Sequence, residues 1–116
     1  MPRVPEGGYH FERHTPDVAW LKANRTESAL TWIGHASFLL QLAGVNLLTD
    51  PHLTARASPF GFTGPQRVVP AALDFHDLPH IDAVVISHNH YDHLDEGTVR
   101  RLGAQAGGSP VFFVPL

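Results

Sequence analysis

Cysteine is absent from the 116 residues. That excludes a disulfide framework, a thiolate zinc site and a cysteine nucleophile together, so any metal must rest on histidine and carboxylate. Basic residues are also few, 8 Lys+Arg against 11 Asp+Glu for a formal charge of -3. A protein built around phosphate-backbone contacts would show a clustered basic face, so nucleic acid is not an expected partner. No run approaches the roughly 18 to 20 consecutive apolar residues of a membrane span, and residues 1–14 hold no apolar block of the signal-peptide kind. A soluble, cytoplasmic chain is the expectation, with a peripheral membrane contact through a surface patch left open. Repeats and low-complexity tracts are lacking as well. What the chain does have is 43% hydrophobic residues, enough for one core and one domain, and nine histidines.

Residues 1–28 are poorly periodic and broken by Pro2, Pro5, Gly7, Gly8 and Pro16, which marks an N-terminal lead-in with at most a helical turn over 17–22. Residues 29–116 have the patterning of a domain. Apolar runs over 30–33, 37–42 and 45–49 predict strands, with Ala43-Gly44 as a hairpin turn and Asp50-Pro51 as a stop. A long connection over 51–80 follows, punctuated by prolines and glycines, in which Phe60, Phe62, Val68 and Val69 suggest packing. Residues 81–86 form a continuous apolar strand of the type covered on both faces in a layered α/β sheet. Asp95 can cap a helix from Glu96 that buries Val99, Leu102 and Ala106 and ends at Gly107-Gly108, and Val111 to Val114 opens another strand.

The chemistry lies in Ser87-His88-Asn89-His90-Tyr91-Asp92-His93, directly after the 81–86 strand. This loop is at the C-terminal end of a strand, where α/β sheets usually place their sites. Three imidazoles and a carboxylate within six residues supply the ligand types zinc accepts without thiolate. His88-x-His90 can aim two imidazoles at one ion, and Asp92-His93 can turn toward a second. Ligands of this kind must be deprotonated, so metal affinity should fall as pH drops through the histidine range. The bland alternative, a solvated histidine-rich turn, is disfavoured because crowding three imidazoles without a metal is electrostatically awkward.

His88 to His93 resembles the metal signature of the metallo-β-lactamase superfamily. Six pieces occur in order: Thr31 to Ala36, Leu48 to Pro51, Arg56 to Pro59, Gly64-Pro65-x-Arg67, Leu78-Pro79-x-Ile81-Asp82 and Ile86 to Asp95. As a set they resemble the N-acylphosphatidylethanolamine-hydrolysing phospholipase D branch and its bacterial relatives, over 30–116. The resemblance implies an α/β fold, the αββα sandwich, of which this chain spans the N-terminal half. It implies that His88 and His90 hold a first zinc and Asp92 and His93 a second, the latter pair forming the catalytic side. It further implies that Asp50 supports the metal loop without binding metal, and that His35 matches a Gly-His position near the site. Arg56 and Arg67 are candidates to meet a substrate phosphate, since guanidinium pairs bidentately with phosphate oxygens, although plain surface charge is the simpler role. Asp95 is most simply a helix cap. His10, His14, His52, His76 and His80 are expected at the surface.

Family members supply a third histidine to the first metal, a bridging aspartate and another histidine to the second, positions that would fall beyond Leu116, so the expectation is half of a dinuclear site. The implied activity is zinc-dependent phosphodiester hydrolysis of N-acylphosphatidylethanolamine-type substrates by a metal-bound hydroxide. The alternatives are a catalytically inactive metal-binding remnant and a hydrolase of the sugar-phosphate lactonase type. An RNA-processing nuclease is disfavoured by the acidic balance. Homodimerisation is left open, because apolar strands without a partner sheet invite association.

Overall fold

The computed structural model describes residues 6–7, 12, 14–53, 71–89 and 95–116. Asp17 caps the short helix α1 (Val18–Ala23) by accepting from the Trp20 amide at 3.1 Å. Three strands follow as an antiparallel meander: β1 (Ala29–Gly34), β2 (Ser37–Leu42) and β3 (Val45–Thr49). The turn between β2 and β3 needs positive φ at both central residues, and Ala43 (50°) and Gly44 (80°) both adopt it. A side chain at Gly44 would be strained and would also approach the Arg25 carbonyl oxygen to 3.1 Å.

Beyond the meander the sheet becomes parallel. β4 (Ala83–Val85) pairs with β3 and β5 (Val111–Phe113) with β4, giving the order β1-β2-β3-β4-β5. A parallel step needs a crossover, and α2 (Glu96–Gly103) supplies it between β4 and β5. No described helix is long and apolar enough to cross a membrane.

The pleat sorts the side chains by face. Ile33, Leu39, Leu48 and Val84 point to the face that carries the core, where Leu21 of α1, Leu102 of α2, Leu73, Ile81 and Ile86 close over them. Each such side chain contributes about 1.5–3 kcal/mol through burial. Cross-strand registers put two rows on the opposite face, Leu30-Leu40-Leu47-Ala83-Val111 and Trp32-Phe38-Thr49-Val85-Phe113, with the Leu42–Val45 pair beside them. This face is apolar and open: Trp32 is 62% exposed and Phe113 57%. The expectation that the 81–86 strand is covered on both faces is therefore corrected. Val84 is buried, but Val85 lies on the open face, and among the described residues no second layer packs there.

Two boundaries differ from the sequence pattern. The regular strand β4 is three residues long, although Asp82 before it still bonds both neighbours, its amide donating to the Asn46 carbonyl at 2.9 Å and its carbonyl accepting from the Val111 amide at 3.0 Å. The second helix stops at Gly103, and Ala106 is exposed, not buried. Gln105 accounts for the early stop: its side-chain amide accepts from the Ile81 amide (3.1 Å) and donates to the Ile81 carbonyl (2.7 Å), which pins the chain beside β4. The connection after β3 contains a 3₁₀ turn over Phe75–Asp77 that periodicity did not suggest. Phe60, Phe62, Val68 and Val69 lie outside the described residues.

Candidate functional site

β3, β4 and β5 run in one direction, so their C-terminal ends meet at one sheet edge, and the turn from Gly34 to Ser37 lies at that edge beside Asp50. Asp50 follows the last residue of β3 and takes a left-handed backbone (φ 37°), which aspartate tolerates better than most residues. Its amide still donates to the Val85 carbonyl at 2.8 Å, so the residue is fixed in the sheet ladder while its side chain turns toward the next strand end. There the carboxylate holds Ser87 twice. Oδ1 accepts from the Ser87 amide at 2.7 Å and Oδ2 from the Ser87 hydroxyl at 2.8 Å. Ser87 Oγ in turn lies 2.8 Å from His88 Nδ1. Asp50 is only 7% exposed, so these bonds form where water competes weakly and the carboxylate charge is met by aimed dipoles.

The same edge is tied from behind. The Ser37 hydroxyl donates to the Asp50 carbonyl at 2.7 Å and accepts from the His52 amide at 2.9 Å. His52 is 4% exposed, which corrects its assignment to the surface: Pro51 turns the chain inward and Ser37 captures the next amide. His14, His76 and His80 are exposed as expected, and His10 lies outside the described residues. Asp95 caps α2, and its Oδ2 also accepts from the Leu53 amide at 3.1 Å, so the cap joins the segment after β3 to the helix after the histidine-rich segment. His35 is exposed with φ 50°, and its carbonyl accepts from the Trp32 indole at 2.9 Å.

The structure thus brings Asp50, Ser87 and His88 into one hydrogen-bonded chain and places His35 on the adjoining turn. His90, Asp92 and His93, together with Arg56 and Arg67, lie outside the described residues. Among the described residues no three His, Cys, Asp or Glu side chains form a group able to hold a metal ion. The donor chemistry nevertheless fits a divalent metal. His88 is half-buried at the start of the loop with Nδ1 engaged by a hydroxyl, the arrangement usual for a ligating imidazole whose other nitrogen faces the ion. Sequence reasoning left Ser87 and Ser37 without a role. A hydroxyl directly before a candidate ligand was a usable signal for Ser87, whereas nothing near Ser37 in sequence points to Asp50 or His52.

A family model described as Beta-lactamase superfamily domain matches residues 29–112. The chain is 45% identical over 93 residues to N-acyl-phosphatidylethanolamine-hydrolyzing phospholipase D 1 of Caenorhabditis elegans, a match covering 78% of this chain and 26% of that protein. It is 34% identical over 82 residues to a metal-dependent hydrolase of Pyrobaculum arsenaticum, covering 71% of this chain and 30% of that protein. Among solved structures, CmlA, a diiron β-hydroxylase from Streptomyces venezuelae, superposes with a TM-score of 0.51 at 30% identity, over 76% of this chain and 15% of that one. The chain therefore spans about a quarter of the length of the curated relatives it matches. The sheet with its site at the parallel strand ends, the ordered motifs and these matches agree, and the chain belongs to the metallo-β-lactamase superfamily.

Proposed function

We propose that this chain carries the metal loop of a metal-dependent hydrolase, with His88 and His90 as ligands to one ion, Asp92 and His93 as ligands to a second, and zinc as the metal. The observation that carries the proposal is the Asp50–Ser87–His88 chain, which fixes the first imidazole of H-x-H-x-D-H at a strand end. A bound divalent metal supplies Lewis acidity and makes water acidic enough to act as a nucleophile near neutral pH. The protein's own part is to orient. Asp50 holds the first turn of the loop, Asp95 holds the helix that follows it, and both anchors are buried.

The substrate we propose is a phosphodiester of the N-acylphosphatidylethanolamine type, cut on the ethanolamine side to leave phosphatidic acid. The 45% match to a phospholipase of that name supports it. Arg56 and Arg67 are placed by this proposal near the phosphate, and a phospholipid substrate requires a peripheral membrane contact. The similarity to metal-dependent hydrolases named without a substrate favours, as a second reading, the same chemistry on another ester or phosphodiester. The test is hydrolysis of N-acylphosphatidylethanolamine in mixed vesicles by the chain expressed in its full reading frame. Zinc-dependent release of phosphatidic acid, abolished by a chelator and by His88→Ala, is the expected result. Turnover of simple phosphodiesters without the lipid would select the second reading, and no turnover of either with zinc present would overturn both.

A further inference from the structure

Both carbonyls of the turn between β1 and β2 are captured by side chains. Gly34 pairs with Ser37, so His35 and Ala36 are the two turn residues. The Trp32 indole donates to the His35 carbonyl at 2.9 Å, and the Thr49 hydroxyl donates to the Ala36 carbonyl at 3.0 Å. Thr49 Oγ1 also accepts from the Phe38 amide at 3.1 Å, so its one hydrogen is committed to Ala36. Ser37 ties the same corner to the end of β3 by donating to the Asp50 carbonyl at 2.7 Å. The Ala43-Gly44 turn at the other end of β2 has the same length, yet among the described residues no side chain bonds to either of its carbonyls. The extra bonds belong to the hairpin at the site edge.

They hold a histidine where two-residue hairpin turns ordinarily place glycine, asparagine or aspartate, because φ is positive at the first central residue. His35 takes φ 50° there. Ala43 takes the same φ in the untied turn, so the backbone itself does not require the ties. The His35 side chain is exposed, so core packing does not account for a histidine either. Non-glycine residues held in this backbone region by their surroundings cluster at active sites and ligand clamps. The turn lies beside Asp50, at the edge where β3, β4 and β5 end. We propose that His35 contacts the substrate, its imidazole donating to a non-bridging oxygen of the bound phosphodiester, and that Trp32 and Thr49 are positioning residues that hold its turn in place before binding. The proposal rests on the phosphodiester reading above for the identity of the ligand.

The test compares wild type with His35→Asn, which tolerates the left-handed backbone, in the full reading frame and loaded with zinc. The unfolding midpoint and zinc content are expected to stay unchanged in His35→Asn. Its kcat/KM for N-acylphosphatidylethanolamine in mixed vesicles falls about 10- to 100-fold, the range for a hydrogen bond to a charged group. Trp32→Phe and Thr49→Val, which delete the two donors, each lower kcat/KM in wild type and add no further loss in His35→Asn, a non-additivity that a merely structural role would not produce. In ¹⁵N-histidine-labelled protein, added glycerophosphoethanolamine moves the His35 ring resonances, assigned by their absence in His35→Asn. Equal kcat/KM in His35→Asn and wild type overturns the proposal. So does a lower midpoint, which makes the imidazole a structural tie, or a loss of zinc, which makes it a support of the metal. Additive losses overturn the positioning role of Trp32 and Thr49. A wild type without turnover overturns the hydrolase reading, and the ring resonances then decide His35: movement with the soluble phosphodiester supports its role and no movement overturns it.

Discussion

Asp50 is the residue on which the sheet edge depends. Removing its carboxylate leaves the Ser87 amide and hydroxyl without their acceptor in a partly buried setting, and hydrogen bonds to charged groups contribute about 1.5–3 kcal/mol. Asp50→Ala is predicted to lower unfolding stability by about 2–3 kcal/mol in urea denaturation, partly because alanine also resists the left-handed backbone. Asp50→Asn, which tolerates that backbone and keeps one acceptor, should lose about half as much; equal losses in the two variants would contradict the bonding described. At this scale the sequence was legible where a residue belongs to a recognisable motif and silent where its partner is distant. Spacing made His88 a candidate ligand. Burial of His52 was not legible, because its cause is a hydroxyl 15 residues away on another strand.

The elements followed from the sequence wherever turn and cap chemistry were explicit. The Ala43-Gly44 turn, the helical turn over 17–22, the Asp95 cap and the five strands all occur where patterning put them, within a residue or two at most ends; the Asp17 cap was not foreseen. The later end of α2 was misjudged because Gln105 trades helix for side-chain bonds to Ile81, a competition that periodicity cannot register. Two predictions belong here. Gly44→Ala should cost about 1 kcal/mol or more by chemical denaturation, since the turn demands positive φ and the added carbon meets the Arg25 carbonyl. Asp95→Ala should cost about 1–2 kcal/mol through the cap and should also speed hydrogen exchange at the Leu53 amide, which keeps only the Thr98 hydroxyl at 3.2 Å as acceptor. Loss of helix stability with no change at Leu53 would show the cap and the tether to be separate.

For the molecule as a whole, the consequential feature is asymmetry between the two sheet faces. One is closed by α1, α2 and the segment around Leu73; the other presents Leu30, Trp32, Val85, Val111 and Phe113 to solvent. Apolar patches of this kind drive association, so the 116-residue chain should sediment as concentration-dependent oligomers, and Trp32→Lys with Phe113→Lys should return it to monomer with little change in unfolding midpoint. A wild type that stays monomeric at high concentration would contradict this. Alternation made the two faces legible in the sequence, but the run of Ala83 to Ile86, apolar throughout, gave no sign that one of its faces stays open. Metal binding by the loop is read most directly by elemental analysis of the purified chain after loading with zinc and dialysis against a weak chelator. At least one tightly held ion per chain, lost in His88→Ala, is the predicted result. No retained metal, or the same amount in wild type and His88→Ala, would contradict it.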